Sequence, residues 1–164
     1  MGKDIIVFGD DWGSLSSSTQ HLIRHLSAQR KIIWVNSIGL KRLTLNLRTL
    51  KRIKKKLFCR HSADIRKTVT KLANPNFILI NPLTIPVPRY KITRHIAASL
   101  LMHQLTKVMT EFDIEKPILW LSIPTAVDMV GRLGECSVVY YCGEDFSSVE
   151  GIDHKTVAQR ESQL

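Results

Sequence analysis

Two adjacent carboxylates near the start of the chain carry the clearest chemical signal. Asp10 and Asp11 lie between Gly9 and Gly13, beside Trp12, directly after the apolar run Ile5–Phe8. Neighbouring carboxylates on a loop can accept hydrogen bonds from sugar hydroxyls, and one of them can deprotonate a nucleophilic hydroxyl. The competing structural reading is that one of them caps the turn, as Asx residues often do. Gly9 and Gly13 let a ligand come close to backbone, and Trp12 offers a flat surface for a sugar ring or, alternatively, closes the edge of a core. The hydroxyl run at 14–19, with Ser18 and Thr19 nearest the helix, puts donors at a helix N-terminus, a place suited to phosphate or hydroxyl groups. His21 follows one turn further in. A second acidic loop, Glu144 and Asp145 after the apolar run near 138–142, can share a cleft with the first.

Other chemistries are excluded or weakened by what is missing. The opening loop lacks Gly-x-Gly-x-x-Gly, and two carboxylates beside a pyrophosphate would repel it. The second apolar run ends in Asn36 rather than the acidic residue that grips a ribose, so NAD and FAD are not expected. No Gly-Lys-Ser/Thr loop is present for a nucleoside triphosphate. His21 and His25 share a helix face, but no third ligand stands at metal-site spacing, and no metal is expected. Three cysteines, Cys59, Cys136 and Cys142, read as reduced thiols of a cytoplasmic protein.

The charge of the chain is unevenly placed. Residues 1–110 hold 20 Lys/Arg against 4 Asp/Glu, whereas residues 111–164 hold 4 against 10. Between 41 and 57, Leu43, Leu47, Leu50, Ile53 and Leu57 fall on one helical face. Lys41, Arg42, Arg48, Lys51, Arg52, Lys54, Lys55 and Lys56 cover much of the rest. An apolar stripe with dense positive charge is how a helix lies on an anionic membrane surface, where each basic residue contributes roughly 1 kcal/mol. The protein is therefore expected to be peripheral on the inner membrane face. Phosphates of a nucleic acid offer the same charge complementarity, but no aromatic residue interleaves the cluster before Phe58 and no nucleic-acid motif is present. A plain solvated helix is the remaining alternative.

These residues need a scaffold that brings loops to one edge. Five near-continuous apolar runs read as strands: Ile5–Phe8, 31–36, 77–81, Ile118–Leu121 and 138–142. Such runs are typical of parallel strands covered on both faces. Helical patterns at 20–29, 94–112 and 125–133 alternate with them, and a last helix is expected from Asp153, its N-cap, to the end. The three prolines of 82–88 exclude helix or central strand there. The spacing predicts one α/β domain over 1–164, a doubly wound, mostly parallel Rossmann-like sheet with helices on both faces and strand order 3-2-1-4-5. The carboxyl ends of those strands, where open α/β sheets bind ligands, carry both acidic loops.

Three stretches in this order resemble the N-terminal domain of GT-B glycosyltransferases, specifically bacterial enzymes of the teichuronic-acid and cell-surface polysaccharide type. They are Phe8-Gly9-Asp10-Asp11-Trp12 with Ser18-Thr19-Gln20-His21; Ile33-Trp34-Val35-Asn36-Ser37-Ile38-Gly39; and Val139-Tyr140-Tyr141-Cys142-Gly143-Glu144-Asp145-Phe146-Ser147 leading to Gly151-Ile152-Asp153-His154. The resemblance implies an acceptor-side half, with Asp10 or Asp11 orienting or deprotonating the acceptor hydroxyl. It implies a sugar or lipid-linked glycan acceptor and a UDP- or GDP-sugar donor held by a second domain or chain. The donor-gripping Glu and Arg/Lys pair of such enzymes have no match here, so no cofactor is expected on this chain and activity by it alone is not expected. Some retaining members also carry a histidine after the fourth strand, where this chain reads Ser122-Ile123-Pro124-Thr125. A non-catalytic module that needs a second chain is the rival expectation, and a basic nucleic-acid-binding domain a more distant one.

Overall fold

In the computed structural model the described residues are 2–15, 17–37, 69–71, 74–82, 91–143 and 154–164. The basic segment at 41–56, the proline-rich stretch from 83 to 88, the second acidic loop with Glu144 and Asp145, and Asp153 lie outside them.

All five expected strands form. They are β1 (Ile5–Phe8), β2 (Ile32–Val35), β4 (Phe77–Ile80), β5 (Ile118–Leu121) and β6 (Ser137–Tyr140). They pair in parallel in the order β4-β2-β1-β5-β6, which is the expected 3-2-1-4-5. Ile5 stands opposite Ile32 on one side and Ile118 on the other, so the three central strands are in register at their amino ends. One strand goes beyond expectation: β3 (Val69–Lys71) adds antiparallel to β4 and makes the sheet six-stranded.

Alternation along the strands splits the core in two. Ile6, Phe8, Ile33, Val35, Leu119 and Leu121 face α2 (Lys91–Glu111), which packs Leu101, Leu105 and Val108 against them. Val157 of α3 (His154–Glu161) joins the same face. The opposite face gathers Ile5, Val7, Ile32, Trp34, Phe77 and Leu79 under Ile23 of α1 (Ser18–Leu26). Both sheet faces are thus covered by helix, which is why the strand runs are apolar throughout rather than alternating. Each fully buried Ile, Phe or Trp on these faces contributes about 2 kcal/mol or more.

The segment expected as an α-helix at 125–133 is instead a short 3-10 helix, Pro124–Met129. Val130 leaves it with an extended ψ of 132°, and Gly131 follows at φ 76°. Pro124 favours a helical start, but the turn has no room to propagate before the chain reverses toward β6.

The acidic rim at the carboxyl ends of the strands

The loop that follows β1 is pinned on both sides where it leaves the strand. Gly9 N–H bonds to Val35 O at 3.2 Å, and Ser122 N–H to Phe8 O at 2.9 Å, which continues the sheet pattern past the strand ends. The indole of Trp34 lies directly against Gly9: a Cβ there would meet Trp34 Cζ2 at 2.5 Å. The same indole N–H donates to Asp10 O at 3.0 Å. Gly9 is therefore required by core packing, not by an approaching ligand. Gly13 has a different reason, a φ of 83° that side chains rarely adopt, with open space where a Cβ would stand.

The two carboxylates have unlike surroundings. Both oxygens of Asp10 are taken, Oδ1 by the Ser17 hydroxyl at 3.2 Å and Oδ2 by Gln20 Nε2 at 2.8 Å. Ser17 is also the N-cap of α1, accepting from Gln20 N–H at 3.3 Å, and Gln20 is buried. Asp10 thus fastens the loop to the first turn of α1. Asp11 is exposed, and only its Oδ1 is engaged, by Ser37 N–H at 3.2 Å and the Ser37 hydroxyl at 2.7 Å. Its other oxygen has no hydrogen-bond partner among the described residues. Of the pair, Asp11 is the one available to a ligand hydroxyl.

Trp12 is half-buried, at 4.8 Å edge-on to Trp34 and 4.4 Å from Phe77, centroid to centroid, with the Arg24 guanidinium 5.6 Å from its ring centre. It closes the lower core, which is the core-edge reading of this residue. Ser18 and His21 are exposed on α1, while Thr19 is buried and its hydroxyl lies 3.0 Å from that of Ser122.

Several residues of the rim carry no local signal in the sequence. Asn36 Oδ1 accepts from Trp12 N–H at 2.9 Å, and Asn36 Nδ2 donates to Asn81 Oδ1 at 2.7 Å. Trp120 Nε1 donates to Ser122 Oγ at 3.1 Å, and the Trp120 ring stacks on Tyr141 at 5.6 Å. Together these bonds lace the exits of β1, β2, β4, β5 and β6 into one polar seam. An Asn at the end of both β2 and β4 is the one hint the sequence held. The rim can accept hydrogen bonds and take up a proton at Asp11, and can offer the second amide hydrogen of Asn36 as a donor.

Among the described residues no group of three or more His, Cys, Asp or Glu is placed to hold a metal ion, and no helix is long and apolar enough to cross a membrane. No protein-family model and no curated protein sequence matches this chain.

Proposed function

We propose that the chain is the acceptor-binding half of a sugar-nucleotide-dependent glycosyltransferase that builds cell-surface polysaccharide or glycolipid. The observation that carries this reading is Asp11: exposed at the ligand-binding edge of a parallel α/β sheet, held through one oxygen by Ser37, and open at the other. A carboxylate so held can orient an acceptor hydroxyl and take its proton as the new oxygen–carbon bond forms at the sugar C1. The bond from C1 to the nucleotide diphosphate breaks in the same event, and the diphosphate leaves with its electron pair. The UDP- or GDP-sugar is supplied by a second domain or chain. Asp10, with both oxygens occupied, positions the loop and does not touch the acceptor. The resemblance in sequence order supports the same division of labour, and the basic segment at 41–56 supports an acceptor presented at an anionic membrane.

The test is a titration of the isotope-labelled full chain with methyl glycosides of hexoses and N-acetylhexosamines, reading backbone amide resonances. Saturable shifts centred on Asp11, Gly13 and Ser37 in the millimolar range, abolished by Asp11→Asn, are expected. Absence of rim shifts at about 50 mM glycoside, some tenfold above such a Kd, refutes the reading, as does equal binding by Asp11→Asn.

A further inference from the structure

A second polar cluster lies where α2, the 3-10 helix and α3 meet. Asp128 is gripped from two sides. Arg94 reaches Oδ2 with Nε at 3.2 Å and Oδ1 with Nη2 at 2.5 Å, and Arg160 Nη1 lies 3.6 Å from the same Oδ2. Arg160 is buried, donates to Thr125 O at 2.9 Å, and finds no partner for its Nε among the described residues. Burial lowers the Arg160 pKa, Asp128 opposes that, and the Arg94 charge lowers it further. One carboxylate therefore serves two guanidinium groups.

A third guanidinium stands beside them. Arg132 pairs with no carboxylate among the described residues, and its Nη2 is 3.5 Å from His95 Nδ1. The nearest acid in sequence, Glu135, is spent on the backbone N–H groups of Gly131 and Leu133. Arg94, His95, Ala98, Asp128 and Arg132 line an open concavity of about 240 Å³. A phosphate group, four oxygens each needing about one water's share of roughly 30 Å³, fits within it.

The helix behind the concavity is charged the wrong way round for its own stability. Helix N-termini favour acidic side chains and C-termini basic ones, each by about 0.3–1 kcal/mol. The opening turn of α2 has no acid and holds Arg94, while its last turn has no base and ends at Glu111. Arg94 at a positive helix end, with Arg132 beside it and no carboxylate of its own among the described residues, forms an arrangement that a bound anion relieves.

We infer that the concavity formed by Arg94, His95 and Arg132 is an anion site for a phosphate or diphosphate group. Arg132 supplies the guanidinium donors not turned to His95 Nδ1, His95 a ring N–H, and Asp128, itself part of the wall, holds Arg94 in place. The site goes beyond the acceptor reading and does not depend on Asp11.

Inorganic pyrophosphate titrated into the labelled full chain tests it, with the side-chain resonances of His95 and Arg132 as the readout. Saturable shifts at both are expected, with affinity falling at least about tenfold in Arg132→Gln. Lys107→Gln, which removes one exposed charge from the same helix, serves as the control and is expected to bind as the parent does. Arg132→Lys keeps the charge without the fork and is expected to fall between. His95→Gln, on an exposed position, gives an independent loss should Arg132→Gln fail to fold. No shift at His95 or Arg132, or equal weakening by Arg132→Gln and Lys107→Gln, overturns the assignment. Geranyl diphosphate in place of pyrophosphate identifies the source. Tighter binding points to a lipid-linked diphosphate and equal binding to a soluble phosphorylated ligand, and each upholds the site. Failure here leaves the glycoside titration at Asp11 untouched, because the two are read at different resonances.

Discussion

Replacing Gly9 with alanine isolates the contact that ties the acidic loop to the core. The added methyl meets Trp34 Cζ2 at 2.5 Å, Cη2 at 2.8 Å and Cε2 at 3.2 Å, all well inside the separation of about 3.5–4.0 Å at which carbon atoms attract. Trp34 is fully buried, so the indole cannot swing into solvent. Overpacking of this kind costs about 1–3 kcal/mol. Displacing the ring also strains the Trp34 Nε1 bond to Asp10 O, for about 1 kcal/mol more. The sum, roughly 2–4 kcal/mol, corresponds to a fall in Tm of about 5–15 °C for a chain of this length. Thermal unfolding followed by near-ultraviolet circular dichroism measures it and reports the tryptophan environment at once. Trp34→Phe removes the offending ring atoms, so Gly9→Ala should cost less in that background than alone. A change below about 1 °C, or strictly additive effects in the double mutant, refutes the packing argument.

Two further substitutions separate backbone from charge. Gly13→Ala meets no neighbouring atom, so its cost is purely conformational, about 1–2 kcal/mol by urea unfolding, and the fluorescence of Trp12 should not change. Asp128→Ala strips the shared carboxylate from Arg94 and from buried Arg160, and is expected to destabilise by about 3 kcal/mol in the same measurement. Exchanging Arg160 for methionine in that background should restore part of the loss, since the uncompensated buried charge is then gone.

The scaffold was legible because its information is local. Runs such as Ile5–Phe8 and Phe77–Ile80 are buried along their whole length, and a parallel sheet covered on both faces imposes that pattern. The edge strand at Val69–Lys71 has no local signature, because three residues with a central Thr70 carry no such run; pairing with β4 defines it, not composition. Residues 125–133 misled for the opposite reason. Val127, Met129, Val130 and Leu133 satisfy a helical period, yet the 3-10 turn ends before the last two. At the rim, Asp10 and Asp11 look equivalent in sequence, and Ser17, Gln20 and Ser37 alone make them different. The sharing of Asp128 by Arg94 and Arg160 spans more than thirty positions on either side, and no short-range pattern announces it.

The amide of Asn36 has an outcome for how such a protein can change. It accepts from the Trp12 N–H on one side and donates a hydrogen bond to Asn81 on the other, so three loops share a single side chain. Swapping the exit residue of one strand frees that amide and slackens the segment bearing Asp11, two connections distant. Substitutions at 36 and 81 are therefore expected to couple, the second costing less once the first has broken the bond they share.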